Sequence, residues 1–463
     1  MVHIKDFKGK QIHMTGIAGS SMSGLAEMLV KQGYNVKGSD GAEGYMVEYL
    51  RKKGIPVKVG HFAENLDGVD LHIYTAAILP DNIERQTVAE RGIPSLERKE
   101  LLGQLMENYT HAACVCGTHG KTTTSGMLAQ TLVDCGLDPT VHIGGMVDAI
   151  GGSTRVGSHE LFVAEACEFN ASFLTMSPTL AVIMNLEEDH LDYYRDINHI
   201  KETFAKFLNL LPDDGIAIGF GDDPKVVELL NGLKQRTYTF GFNENNHYYP
   251  QNIEYDELAH ASFDIFKEGK KLGRLKLGVP GKIQIVDAIA AFAAADVLGA
   301  DQKLAMESLS NFKGVHRRFE LTGVYDGVEV YHDYGHNPQE MEQVLQTAHM
   351  RPHNRLWAVM QPHTYSRVKR LFNDYITCTE IADFTLVTDI CAAREKDPGD
   401  IHSIMLVDAM QEKGINVTYA PTFDDAENYL KAHWEPGDIV VTLGCGDINK
   451  LNIQIEEHSK QNA

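Results

Sequence analysis

The chain has 463 residues, more than one hydrophobic core usually organises, so about three domains are expected. Hydrophobic residues make up 43% and charged residues 23%, ordinary values that exclude a small disulfide scaffold and a disordered chain. Lys plus Arg number 42 against 64 Asp plus Glu, and the net charge of −22 repels nucleic-acid phosphates and anionic membranes, so any bound phosphate needs local donors.

Residues 1–10 carry charges without an apolar targeting core, and no later stretch approaches 18 uninterrupted apolar residues. The expectation is a soluble cytoplasmic protein with no nucleic-acid and no membrane partner; the oligomeric state is left open. Seven cysteines lie mostly inside apolar segments and read as reduced core thiols. Cys114-x-Cys116 lacks a second Cys or His pair at zinc spacing, so no metal is expected there.

From residue 11 onward short apolar runs alternate with longer segments of helical spacing, the pattern of a parallel α/β architecture. The first block predicts a strand over 11–17, a helix over 22–32 ended by Gly33, a strand over 34–38, and further alternation to about Asn108. Its first loop, Gly16-Ile-Ala-Gly-Ser-Ser-Met-Ser-Gly24, joins strand to helix, with Asp40 after the second strand. Ala18 and Ser21 stand at the second and third glycine positions of a dinucleotide fingerprint, so the loop favours diphosphate at a helix N-terminus over a nicotinamide cofactor. Close helix packing is the alternative.

The second block opens with the apolar run 112–116, turns through Gly117-Thr-His-Gly-Lys-Thr-Thr123, and predicts a helix over 121–135 stopped by Gly136. The glycines let backbone N–H groups approach phosphate, Lys121 supplies charge for the β/γ-phosphates, and the Thr122 hydroxyl suits Mg²⁺. Val115 occupies the position of the first glycine in the general phosphate-loop pattern. Strands over 161–166 and 180–185 put Glu165 and His190 at strand ends that face the ligand crevice of a parallel sheet. Between Thr237 and Val279, Tyr, Phe and Ile alternate with polar residues, predicting antiparallel strands added to this sheet; an Ala-rich, buried helix is expected over 284–298.

The third block begins near Arg317, with strands over 329–332, 356–360, 385–389 and 438–443 and helices over 338–349 and 366–381. The polar tail 456–463 is expected to fray, and linkers are placed near 108 and 316. Asp333-Tyr-Gly-His-Asn-Pro338 and Gln361-Pro-His-Thr-Tyr-Ser-Arg367 each follow a strand and precede a helix, forming a recognition face for a small zwitterion with Arg367 toward its carboxylate. Arg317 and Arg318 are either a solvated pair or the source of a charge delivered to transferring phosphate.

In this order, the loops resemble those of the Mur ligase family over essentially the whole chain. The other carriers are Gly38-Ser-Asp40, Glu165-Ala-Cys-Glu-Phe-Asn-Ala-Ser-Phe173, residues 185–192, Arg317-Arg-Phe319, Ala392-Ala-Arg-Glu-Lys396 and Gly444-Cys-Gly-Asp447. The resemblance implies an α/β fold of three domains: a Rossmann-like UDP-sugar-binding domain (1–108), a central P-loop-type ATPase domain with added antiparallel strands (109–316), and a Rossmann-like amino-acid-binding domain (317–463). It implies ATP-driven amide formation, in which the lactyl carboxylate of UDP-N-acetylmuramate becomes an acyl phosphate that the amine of L-alanine attacks.

By the same resemblance Gly117, Thr118, His119, Gly120, Lys121, Thr122 and Thr123, with Asp333, hold ATP. Thr122, Glu165 and His190 surround Mg²⁺, and Lys121, Glu165, His190 and Arg318 carry catalysis. Gly16, Gly19, Met22, Ser23, Gly24, Asp40 and Thr75 hold the UDP part, while Tyr334, His336, His363 and Arg367 form the alanine pocket. The chain departs from the family after Pro280-Gly281, where Ile283, Gln284 and Asp287 replace a His-Asn pair and a further Asn of the nucleotide site. Thr364 replaces an arginine of many relatives, Ala18 and Ser21 replace glycines, and no motif identifies a carbamylated lysine, Lys206 being expected in solvent. Rival readings are a ligase adding a tripeptide to the same sugar nucleotide and a noncatalytic UDP-sugar-binding protein, with a nicotinamide oxidoreductase last.

Overall fold

A computed structural model describes residues 2–158, 160–190, 193–393 and 395–462; the motif residues Leu191, Asp192 and Arg394 and the terminal Ala463 lie outside the described residues. The chain forms two compact units, one of residues 1–251, 264–273 and 286–309, the other of 252–263, 274–285 and 310–463. Three sheets organise the chain, as the three sequence blocks predict.

The first sheet has the order Val57–Val59, Asn35–Asp40, Gln11–Thr15, Leu71–Tyr74, Ser95–Glu97, every pair parallel. Thr15 lies opposite both Ser39 and Tyr74, so the loops after these strands share one edge. Helix Ser20–Lys31 buries Leu25, Ala26, Met28 and Leu29 against the core.

The second sheet centres on His111–Cys116, flanked by Leu161–Glu165 on one side and Leu180–Ile183 on the other, all parallel. Ile216–Phe220 and Arg236–Phe240 continue it in parallel, which corrects the antiparallel expectation from residue 237: a crossover helix, Pro224–Asn231, separates these two strands. Tyr248–Tyr255, His260–Lys267 and Lys270–Pro280 are added in that order, and the last two are joined by Glu268 and Gly269, both at positive φ (48° and 80°), a two-residue hairpin turn that makes them antiparallel. Helix Ile283–Val297 buries its alanines, as its composition predicts.

The third sheet, in the second unit, runs Glu320–Tyr325, Val328–Asp333, Ile439–Leu443, Leu356–Met360, Phe384–Val387, Val417–Tyr419; only the first pair is antiparallel. The helix expected over 366–381 is two helices, Tyr365–Arg370 and Phe372–Thr377, broken at Leu371 with φ −101°. The tail is helical to residue 462 within Asn449–Asn462, because Leu451 and Ile455 are buried and His458 Nδ1 lies 2.9 Å from Glu427 Oε1. Among the described residues no helix is long and apolar enough to cross a membrane. All seven cysteines are free, with Cys114, Cys116 and Cys378 buried and the other four part-buried.

Four histidines weaken the fold in mild acid. Burial pushes His72 and His142 down to about 3, and His332 and His363 down to about 4. Their folded values lie below the unfolded value of about 6.5, so the unfolded chain takes up protons first and stability falls as pH drops through 6.5 toward 4, by up to about 1.4 kcal/mol per pH unit for each ring. The expected result is a urea midpoint that drops between pH 7 and pH 5; a flat midpoint there would contradict these buried neutral rings.

Candidate active site

Strand His111–Cys116 delivers Gly117-Thr-His-Gly120 to the N-terminus of helix Lys121–Asp134, in the first unit. Gly117 and Gly120 have φ of 133° and 82°, and a Cβ on Gly120 would stand 2.6 Å from Asp287 Oδ1, so both positions require glycine. The loop is braced by the segment after Leu180–Ile183: Asn185 Oδ1 accepts from His119 N (2.8 Å), Asn185 O from Thr118 N (3.1 Å), and Thr118 Oγ1 from Glu187 N (2.9 Å). His119 Nε2 lies 3.5 Å from Glu187 Oε2. Thr123 is buried and Thr122 half-buried at the helix start.

Lys121 Nζ donates to Gly117 O (2.6 Å), Thr118 O (2.9 Å) and Glu168 Oε1 (2.9 Å). Burial, the largest single influence, works against its charge, but Glu168, Cys167 and Glu165 together hold the ammonium above its ordinary pKa. Glu168, absent from the site residues chosen from sequence, is 3% exposed, and its Oε1 also lies 3.7 Å from His190 Nε2. Its Oε2 is buried with no hydrogen-bond partner among the described residues. Glu165 turns elsewhere, accepting from Gly144 N through Oε2 (2.8 Å). His190 has φ 51°, and its ring packs 4.9 Å from that of Phe169; Asn170 and Ala171 are also at positive φ. Three strained residues around one carboxylate mark a constrained site.

Asp287 is 2% exposed and accepts from Thr124 Oγ1 (3.2 Å), so the residue that departs from the family pattern packs from helix Ile283–Val297 against helix Lys121–Asp134. Ile283 and Gln284 open helix Ile283–Val297, and Gln284 Oε1 is buried without a hydrogen-bond partner among the described residues. Lys206, on helix Ile197–Leu208, is exposed.

At the first sheet, Ser39 O accepts from Gly16 N (2.8 Å) and Ile17 N (3.1 Å), while Asp40 accepts from Ala18 N (2.9 Å) and Gly41 N (2.8 Å). Gly19 caps helix Ser20–Lys31, and a Cβ on Gly16 would stand 2.8 Å from Thr75 Cγ2, which brings Thr75 to the loop. Met22 and Ser23 are buried, Met22 in the apolar core and Ser23 bonded to Ser20 O (3.2 Å). Gly24 has a packing reason, since a Cβ there would stand 2.0 Å from Thr154 Oγ1. The serine replacing a family glycine is likewise used: Ser21 Oγ lies 2.8 Å from His142 Nε2 and accepts from Arg98 Nη1 (3.1 Å).

In the second unit, Asp333 ends strand Val328–Asp333 and accepts from Phe319 N (2.7 Å) and Gly335 N (2.6 Å). Burial raises its pKa above the usual carboxylate value, against Arg318 and these two N–H groups. Arg317 and Arg318 stand 4.7 Å and 5.3 Å over the Tyr334 ring, in a turn where Arg317 and Phe319 have φ of 64° and 43°. The His336 and His363 rings meet edge to face at 5.9 Å, and His363 Nδ1 lies 3.2 Å from Arg367 Nη1. Arg367 is 9% exposed, a desolvated guanidinium beside the His363 imidazole. Thr364 has φ 61° and bonds Cys391 O (2.9 Å); Gln361 ties this loop to 444–448 by accepting from Asp447 N and Ile448 N (both 3.1 Å).

Residues 11–110 match the Mur ligase family, catalytic domain, residues 115–295 the Mur ligase middle domain, and residues 317–446 the Mur ligase, glutamate ligase domain. The UDP-N-acetylmuramate–L-alanine ligase of Caldanaerobacter subterraneus subsp. tengcongensis is 44% identical over 454 residues, 98% of this chain and 99% of the relative. A solved UDP-N-acetylmuramate–alanine ligase from Thermotoga maritima superposes with a TM-score of 0.83 at 28% identity, over 98% of this chain and all of that one. The UDP-N-acetylmuramate:L-alanyl-gamma-D-glutamyl-meso-diaminopimelate ligase from Neisseria meningitidis is 31% identical with a TM-score of 0.60, covering 66% of this chain and 99% of its own.

Proposed function

The chain belongs to the Mur ligase family, and from that premise we propose that it is the ATP-dependent ligase joining L-alanine to the lactyl carboxylate of UDP-N-acetylmuramate, in peptidoglycan precursor synthesis. The observation that carries this is identity of 44% across almost the full length of a ligase of that activity. The γ-phosphoryl group of ATP passes to a lactyl carboxylate oxygen, ADP leaves, and the amine of L-alanine attacks the acyl carbon; the C–O bond to phosphate breaks, the amine loses a proton and phosphate is released. No covalent enzyme intermediate is needed, so the protein supplies position and charge.

The roles follow the division 1–108, 109–316 and 317–463. Gly117 to Thr123 cradle the triphosphate, with Lys121 neutralising the β/γ-phosphates; Asp333 is assigned to the nucleotide and Arg318 to the transferring group by the family resemblance of their loops alone. Gly16, Gly19 and Asp40, with Thr75, hold the UDP part; Met22, Ser23 and Gly24 shape that loop from beneath. Tyr334, His336, His363 and Arg367 take L-alanine, the guanidinium toward the carboxylate. By donor chemistry the hydroxyl of Thr122, the carboxylate of Glu165 and the imidazole of His190 suit Mg²⁺ that arrives on nucleotide phosphates, although Glu165 Oε2 is engaged by Gly144 N; Glu168, whose Oε1 lies 3.7 Å from His190 Nε2 and whose Oε2 has no hydrogen-bond partner among the described residues, adds a further oxygen beside His190. No group of three His, Cys, Asp or Glu among the described residues makes a cage independent of the nucleotide. Bound there, Mg²⁺ would shield the triphosphate charge.

Phosphate release should require Mg-ATP, UDP-N-acetylmuramate and L-alanine together. A preference for the tripeptide L-alanyl-γ-D-glutamyl-meso-diaminopimelate over L-alanine would instead favour the activity named for the Neisseria relative. Sugar-nucleotide binding with no ATP binding would favour a noncatalytic protein, the outcome that Ile283, Gln284 and Asp287 motivate. Arg367→Ala is expected to raise the KM for alanine by about tenfold to a hundredfold and that for ATP by much less, through loss of a desolvated carboxylate partner. Equal effects on both KM values would move Arg367 out of the alanine pocket.

A further inference from the structure

The first sheet covers a polar cluster that the proposed chemistry does not use. Glu84, on helix Ile83–Arg91, is 0% exposed and, among the described residues, forms ion pairs with histidines and with no lysine or arginine. Its Oε2 accepts from Thr15 Oγ1 (2.5 Å) and Ser39 Oγ (2.7 Å) and lies 3.2 Å from His13 Nε2. Its Oε1 accepts from Asn65 Nδ2 (2.6 Å). Burial pushes the carboxyl pKa up, but His13, Thr15 and Asn65 together hold it well below the ordinary range, so Glu84 is a buried anion. Such an anion is costly to keep, and a hydrophobic residue would fill the same space without that cost.

His61 stands at the margin of the cluster with a side chain 18% exposed, its Nδ1 3.3 Å from Ser39 Oγ and 3.6 Å from Glu84 Oε2. Ser39 Oγ gives its one proton to Glu84 and can only accept from the ring, so Nδ1 carries a hydrogen and the imidazole is oriented. Nε2 lies on the opposite side of the ring, makes no hydrogen bond to a described residue, and is 3.8 Å from where a Cβ on Gly41 would stand, next to Asp40. The carbonyl of the same Ser39 accepts from Gly16 N and Ile17 N, so one residue links the oriented imidazole to the loop that opens helix Ser20–Lys31. With a second proton, Nε2 becomes a donor, and Glu84 supplies the counter-charge.

We propose that His61 is a further sugar-nucleotide-binding residue whose Nε2 donates to the diphosphate, and that Ser39 and Glu84 are the residues that position it. The proposal rests on the ligase reading above and adds to it a contact and the buried acid behind that contact. Calorimetry with UDP, UMP and uridine, on the wild-type chain and on His61→Ala, Ser39→Ala and Glu84→Gln, tests it together with thermal melts and steady-state kinetics.

His61→Ala should bind UDP about tenfold or more weakly, as expected for losing one hydrogen bond to a charged group, and uridine within about twofold of wild type. In turnover its KM for UDP-N-acetylmuramate should rise while kcat and the KM for ATP hold, a split that a general loss of stability does not produce. Ser39→Ala removes only the hydroxyl between ring and acid and should weaken UDP binding in the same direction with a lower but still cooperative melt, which keeps the test decisive where Glu84→Gln fails to fold. UDP affinity unchanged in His61→Ala overturns the proposal, and an equal loss of uridine binding does so by placing the ring at the base. A wild-type chain that binds none of the three fails the sugar-nucleotide reading itself, a result distinct from unchanged UDP affinity in the variant.

Discussion

Lys121→Ala is expected to lower phosphate release about a thousandfold and to weaken ATP binding, with the protein still folded at 25 °C. All three protons of the Lys121 ammonium are committed, two to Gly117 O and Thr118 O of its own loop and one to Glu168 Oε1. A triphosphate entering the loop recruits that charge, and no other lysine lies among residues 111–134. Removing one preorganised donor from a desolvated transition state costs about a hundredfold to a thousandfold, and a full charge lies at the upper end of that range. Phosphate release and calorimetric ATP binding measure the two losses, and far-ultraviolet circular dichroism measures the fold. Wild-type turnover in this variant would remove the loop from the catalytic site.

The glycine loop of 117–123 was legible as a strand–loop–helix turn because its information is local: Gly117, Gly120 and Lys-Thr-Thr lie within seven residues between a strand and a helix, so spacing alone implies the geometry. Glu168 was not, although it lies in the same segment as Glu165. The strand ends at Glu165, and the turn of Phe169–Thr175, with Asn170 and Ala171 at positive φ, sets where Glu168 lies. No periodicity encodes that turn. The signal that could have found it is a second acid three residues beyond the strand end, followed by Phe-Asn-Ala-Ser. Met22, Ser23 and Gly24 carry a packing demand that the motif does not show: helix phase buries Met22 and Ser23 and sets Gly24 against Thr154. The tail 456–463 reads as frayed because its own residues are polar, while its helix is continued from the preceding turn that buries Leu451 and Ile455. The Glu84 cluster gathers Thr15, Ser39, His61 and Asn65 from separate segments, so only the folded sheet brings it together.

Glu168→Gln should separate positioning from binding. The substitution keeps the side chain's size and removes the charge 2.9 Å from Lys121 Nζ and 3.7 Å from His190 Nε2. Without that charge the ammonium has no competitor for the triphosphate, so the dissociation constant for ATP should hold or fall. The same loss releases Lys121 and His190 from one shared carboxylate, and kcat should drop about tenfold to a hundredfold because a small misplacement of charge is costly in phosphoryl transfer. Breaking a buried pair from one side also destabilises, by about 3–5 kcal/mol, because the remaining charge is left uncompensated. Lys121→Met combined with Glu168→Gln removes both charges and should recover most of that stability while remaining inactive, which a double-mutant cycle on urea midpoints and phosphate release reads directly. If Glu168→Gln instead weakened ATP binding and left kcat unchanged, the carboxylate would be a structural brace of the loop, and the positioning of Lys121 would have to come from Gly117 O and Thr118 O alone.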